Sequence, residues 1–255
     1  MPAFQGTVFV ALVFACAAVI HGYSGFGFGI VAMSLLSILS QDMPEMYVVV
    51  SINALVVVVV VLFLSRVRSH VDWLKAGLLL LGVAIGQPVG YWFLRTFGDH
   101  PVFHVLLGLV LLYYAVNWAV SPTIRRGLHS AAAVGIGAAS GLIGGAFVSG
   151  GPPVVMYLYS QADDPRDMKP TVQSVFLVML LYRLVLIGMA GDYSARILRL
   201  SLYTVPLVIP LIVIGHALSR RGPAQRFRRY VYGLIALFGV SVFARGLWAW
   251  FNQGM

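Results

Sequence analysis

Cysteine is nearly absent. Cys16 alone among 255 residues excludes a disulfide framework and a cysteine-built zinc site. Charge is scarce too: 10% of residues are charged and 60% hydrophobic, with a mean hydropathy of +0.91, whereas soluble domains carry roughly 25% charged residues. Such a chain cannot cover its surface with polar groups, so its main solvent is a lipid bilayer rather than water. No Lys or Arg precedes Arg66, so the first apolar stretch lacks the basic start of a cleavable signal and is expected to be retained. Catalytic patterns are missing as well. There is no HExxH, no phosphate-loop lysine and no Ser/His/Asp set inside the apolar runs, and the histidines are scattered. These absences argue against an enzyme, and neither a cofactor nor a metal is expected. The net charge of +9 reads as loop charge that orients a membrane protein, not as a nucleic-acid surface.

What the chain has is long apolar runs. A spanning helix needs about 20 apolar residues, and six stretches fit: 45–65, 74–97, 101–120, 169–190, 197–219 and 229–250. Two others, 7–40 and 127–160, would each reach roughly 50 Å as continuous helix. Both are interrupted by glycine, at Gly22, Gly25, Gly27 and Gly29 in the first and from Gly141 to Pro153 in the second. Each reads either as a helix that unwinds inside the membrane and turns back, or as a tilted helix followed by an interfacial one. Loop charge favours the first form. If all eight segments cross, the two sides carry 8 and 8 basic residues; if segments 1 and 5 turn back, they carry 4 and 12. The second count obeys the positive-inside rule and puts both termini outside the cytoplasm.

The halves echo each other. Gly90 and Gly108 stand 18 apart, as do Gly215 and Gly233, with Arg95 and Arg220 between them. Asp42-Met43-Pro44 precedes segment 2 as Asp163-Asp164-Pro165 precedes segment 6. The expected fold is an all-α integral membrane protein of two repeats, 1–122 and 123–255. Each repeat is a glycine-broken re-entrant helical hairpin followed by three transmembrane helices. Three crossings are an odd number, so the second repeat is inverted. Inverted repeats with interrupted helices are a transporter architecture, with the substrate bound at the repeat interface, although single glycines in membrane helices also serve close packing.

The breaks suit an anion. In Ser149-Gly150-Gly151-Pro152-Pro153 the prolines fit a first helical turn, and the positive end of a half-helix faces whatever lies before them. Gly25-Phe26-Gly27-Phe28-Gly29 offers the same from the other half, its glycines permitting an anion nest. All eight acidic residues fall in loops or at segment ends, which argues against cation transport. Arg183, by contrast, lies well inside segment 6. There it is either functional or snorkels to an interface. His21 adjoins the first cluster, where it would either couple protons or pack a helix by a hydrogen bond. Asn53, Gln173 and Ser174 would either line the site or join helices by hydrogen bonds.

These features resemble the TauE/SafE sulfite-exporter-like family of anion permeases over nearly the whole chain, chiefly through the Gly22–Gly29 cluster and Gly150-Gly151-Pro152. The resemblance implies a secondary carrier of sulfite, sulfonates or related organic anions. Where that family usually has a proline after its first cluster, Val31-Ala32-Met33 stand here. Phe26 and Phe28, alternating with the glycines, would narrow the site or touch an apolar substituent. The expected partners are a small anionic substrate and the lipid of a bacterial inner membrane, with a homodimer as one option for assembly. An anion channel using the same carboxylate-free pathway is the alternative.

Overall fold

Long stretches of Leu, Val, Ala and Ile satisfy their backbone within helices, the economical solution where no water is available. The computed structural model describes residues 2–39, 43–64, 71–120, 130–161, 168–219 and 224–253. Ten helices run through them: α1 (Pro2–Ser24), α2 (Phe28–Leu39), α3 (Met43–Leu64), α4 (Trp73–Phe97), α5 (Pro101–Val120), α6 (Ser130–Phe147), α7 (Gly151–Ser160), α8 (Lys169–Ala190), α9 (Ala195–Ser219) and α10 (Ala224–Gln253). Among the described residues four helices are long and apolar enough to cross a membrane, namely Glu45–Leu64, Trp73–Phe97, Lys169–Ala190 and Ala195–Ser219. Asp42, Asp163, Asp164 and Pro165, and the loop residues Arg66, Arg68, Arg125, Arg126, Arg166, Arg220 and Arg221, lie outside the described residues.

Both long glycine-bearing stretches are broken. The first halts at Ser24 and resumes at Phe28; the second halts at Phe147 and resumes at Gly151. After each break the short helix packs against the helix before it, α2 on α1 and α7 on α6. Gly25 (φ +82°) and Gly27 (φ +97°) supply left-handed backbone at the first break. Val148 (φ 54°) does so at the second, a conformation that a β-branched residue holds only under constraint.

Glycine also sets how the helices pack. Gly82, Gly86 and Gly90 on α4 face Gly137, Gly141 and Gly145 on α6, so closely that an added Cβ at any of the six would strike the other helix's backbone. The α1–α9 contact has the same construction. A Cβ at Gly145 would meet the Gln87 carbonyl and the Tyr91 amide, and one at Gly22 the Ile212 carbonyl and the His216 amide. A Cβ at Gly90 would meet Leu142 and Ala146, and one at Gly215 Val19 and Tyr23. Each half's broken helix therefore packs on the other half's fourth helix, through atoms at matching sequence offsets. Likewise α3 lies on α9 as α8 lies on α4. Gly108 and Gly233 do not share a role, since Gly108 abuts Phe243 while Gly233 has open space around it.

Polar ties join the turn regions. Glu45 pairs with Arg196 (3.3 Å), Arg95 with Asp192 (3.1 Å), and the Asp72 amide donates to the Thr171 hydroxyl (3.0 Å). Asp72 also caps α4 by accepting from the Lys75 amide (3.0 Å), while the Lys75 ammonium lies 2.7 Å from its carboxylate. Burial pushes this carboxyl up, but the hydrogen bonds and charge of Lys75 outweigh it and hold it below its ordinary range. Asp72→Ala is expected to cost about 1 kcal/mol, the usual worth of such a cap. Because the folded-state pKa is depressed, the contribution is complete at neutral pH and fades as pH falls through that value. Melting temperatures of both proteins, followed from pH 7 downward, should therefore stay apart at neutral pH and converge only once the pH has fallen below the depressed folded-state pKa.

Candidate functional site

The two breaks meet. A Cβ on Gly29, one residue into α2, would run into the Val148 carbonyl at the end of α6. Around this approach lies a cavity of about 70 Å³, several times the roughly 10–15 Å³ that one water needs. Phe26 to Ile30 line one side and Val148 to Pro152 the other; α3, α4 and α8 close it with Ala54, Val58, Gln87, Phe176, Met179, Leu180 and Arg183. Among the described residues no acidic side chain lines it.

Side chains occupy backbone carbonyls at both breaks. At the first break, Gln173 Nε2 donates to the Gly25 carbonyl (2.7 Å) and Ser24 Oγ to that of Phe26 (2.6 Å). At the second, Tyr114 donates to the Ser149 carbonyl (3.1 Å) and Ser140 to the Gly150 carbonyl. The first α2 amide to bond within the helix is Val31, to Gly27 (3.0 Å), so Gly29 and Ile30 keep the unpaired N–H groups of a helix start. Pro152 and Pro153 remove two such donors from α7 and leave the Gly151 amide at its tip. Two positive helix ends thus border one small space.

Arg183 is the only charged residue of this lining and is 1% exposed. Its Nε donates to Ser51 Oγ (2.8 Å), and one terminal nitrogen donates to the Gly144 and Gly145 carbonyls (2.7 and 2.5 Å). Those carbonyls belong to the last turn of α6, where a cation is favourable. The other terminal nitrogen is buried with no partner, and no acidic side chain pairs with the guanidinium, which lies 5.6 Å from the centre of the Tyr91 ring. His21 also borders the cavity. Its Nδ1 accepts from the Phe28 amide (3.4 Å), which leaves Nε2 as the N–H tautomer, buried and unpartnered. Gln87 Nε2 donates to the Met179 carbonyl (2.8 Å), and its Oε1 has no partner.

Of the residues singled out in the sequence, His21, Phe26, Gly27, Phe28, Gly29, Ser149, Gly150, Gly151, Pro152 and Arg183 come together here. Four do not line the cavity. Gly25 and Gln173 bond each other behind it. Asn53 donates to Thr204 on α9 (2.9 Å) and to the Val49 carbonyl (3.0 Å), an interhelical tie. Ser174 is half-buried and away from the lining. Phe176 and Met179 are lining residues that the sequence reading passes over, and Gln87 is one that it reads as mostly structural. For Gln87 the available signal was a polar residue in an otherwise apolar run, beside Pro88.

A family model described as sulfite exporter TauE/SafE matches residues 10–242. The "Probable sulfite/organosulfonate exporter TauE" of Cupriavidus necator is 23% identical over 230 residues, covering 89% of this chain and 90% of that protein. The "Probable inner membrane transporter protein TsaS" of Comamonas testosteroni is 28% identical over 187 residues, covering 70% of this chain and 75% of that protein. No solved structure gives a significant match.

Proposed function

Because the chain belongs to the sulfite exporter TauE/SafE family, an integral membrane transporter family and not an enzyme family, we propose that it is a secondary carrier of a small sulfur-containing anion, sulfite or an organosulfonate. The observation that carries this reading is the cavity itself. Two half-helix N-termini and the buried Arg183, whose second terminal nitrogen has no partner, border one space, and among the described residues no carboxylate lines it. The Gly29, Ile30 and Gly151 amides, Arg183 and the His21 Nε2–H hold the oxyanion head. Phe26, Val58, Phe176 and Met179 face its substituent.

The architecture in this reading is two inverted repeats, each opening with a re-entrant hairpin. Parity of the crossings supports the hairpin in the second half. Glu45–Arg196 and Arg95–Asp192 tie the entry to α3, the exit of α4 and the α8–α9 turn to one face, and Asp72–Thr171 ties the entries to α4 and α8 to the other. Those pairings require an even number of crossings between the entry to α3 and the α8–α9 turn. With α3, α4, α5 and α8 each crossing once in this reading, the pairings fit an α6–α7 pair that returns the chain to the side it left. The matched glycine contacts support the duplication. Positive-inside bias puts the Asp192 face outside the cytoplasm of a bacterial inner membrane, with both termini on that side. Rocking of one repeat against the other alternates access to the cavity.

The test is a melting-temperature series on detergent-purified protein with sulfite, sulfate, thiosulfate, small sulfonates, carboxylates and common cations. One sulfur anion is expected to stabilise the protein by about 2.7 kcal/mol at a hundred times its dissociation constant. Stabilisation by sodium or carboxylates alone overturns the reading. Saturable counterflow in liposomes is the expected transport signature; non-saturable flux would favour a channel through the same cavity.

A further inference from the structure

Arg183 has two sides. Besides the central cavity it borders a second, smaller pocket of about 20 Å³, shared with Tyr47, Tyr91, Arg95, Ile187 and Asp192. The Tyr47 side chain is fully buried, with its ring edge-on to Phe103 (5.6 Å), yet its hydroxyl has no partner. Tyr91 donates a short hydrogen bond to Asp192, whose other oxygen lies 3.1 Å from Arg95. Two cationic side chains and a spare hydroxyl therefore line a space that the Asp192 carboxylate borders from the turn.

We propose that this pocket is a second anion station on the route between the central cavity and the outer face, held shut by Asp192, which stands in it as a tethered substitute for the transported oxyanion. This rests on the carrier reading above and extends it to the path of exit. The carboxylate is well suited to leave. It lies at the C-terminal, negative end of α8, where an anion gains nothing from the helix dipole, so Tyr91 and Arg95 alone retain it. Gly191 precedes it in left-handed conformation (φ +75°), giving the turn a backbone that a side chain would resist. An arriving sulfite or sulfonate offers Tyr91 and Arg95 the same acceptor chemistry, and Arg183 reaches both spaces without crossing the membrane itself. At about 20 Å³ the pocket holds one water and no sulfonate, so the latch must open before the anion can occupy it.

The test uses full-length protein in liposomes with Cys16 replaced by Ser and Val48, which lines the pocket, replaced by Cys. The probe is the anionic, membrane-impermeant sulfonatoethyl methanethiosulfonate. Asp192→Asn, and Tyr91→Phe as a milder second variant, are expected to speed labelling at least tenfold while ethanesulfonate affinity measured by calorimetry stays within threefold. Tyr47→Phe is expected to slow counterflow about tenfold at unchanged affinity. Labelling rates equal to the parent's in both latch variants, or full counterflow in Tyr47→Phe, would overturn the second station. A parent protein that binds no sulfur anion would instead overturn the carrier reading, and the labelling comparison would still report whether Asp192 closes the pocket.

Discussion

Gly86→Ala is expected to remove most of the folded protein, although it adds one methyl group to a helix. A Cβ at position 86 would collide with the Ala138 carbonyl and come 2.9 Å from the Leu142 amide. Both are backbone atoms of α6, with no flexible side chain to give way. Relief requires α4 and α6 to separate, and Gly82, Gly90, Gly137, Gly141 and Gly145 all depend on the same close approach. Separation forfeits van der Waals contact along the whole seam, the main source of association between helices in lipid. The loss should therefore exceed the 1–3 kcal/mol typical of an overpacked core, with aggregated protein on size exclusion and a melting temperature too low to measure cleanly. Gly77 lies on the same helix with nothing within 4 Å of its virtual Cβ. Gly77→Ala should be neutral or gain up to about 1 kcal/mol from helix propensity. Equal behaviour of the two variants would refute the seam.

That contrast also marks what the sequence could disclose. Hydropathy and length mark the apolar runs, glycine marks the first break and glycine with proline the second, because each feature is local. The matched spacing of Gly90 and Gly215 corresponds to a shared packing role, since both meet the broken helix of the opposite half. The same spacing misled for Gly108 and Gly233, where a recurring letter carries no recurring contact. Among the site residues, the glycine clusters and Arg183 were legible because a buried charge and a broken helix are anomalies within an apolar run. Asn53 and Gln173 looked like equally good anomalies. Their partners, Thr204 and the Gly25 carbonyl, lie more than a hundred residues away, and only tertiary packing decides whether a buried amide meets a ligand or another helix. Gln87 reads as structural, and Phe176 and Met179 go unmarked, for the same reason: which face of α4 or α8 borders the cavity follows from the crossing of helices, not from the residues themselves.

Arg183→Gln is expected to cut the stabilisation by sulfur anions from about 2.7 kcal/mol to about 0.3–1.4 kcal/mol at the same anion concentration, while leaving a folded, monodisperse protein. The side chain has two separable tasks. One terminal nitrogen and Nε hold the end of α6 and Ser51, a structural role; the other terminal nitrogen is buried and unpaired. Deleting the structural part should lower the melting temperature equally with and without anion. Deleting a charge-assisted bond to the ligand, worth about 1.5–3 kcal/mol, should weaken binding by roughly 10- to 150-fold. The two effects separate in one experiment, because only the second changes the difference between the melting temperatures with and without ligand. Arg183→Lys sharpens the distinction. A lysine retains the charge but not the planar fork that reaches α6, Ser51 and the cavity at once, so it should recover part of the binding and little of the α6 contact. Arg183 is a buried charge with no acidic side chain paired to it among the described residues, an arrangement normally costly. An anion that completes the pair should therefore stabilise the wild-type protein more than either variant. A full ligand-induced shift in Arg183→Gln would assign Arg183 to α6 alone and leave the helix amides and His21 to hold the anion.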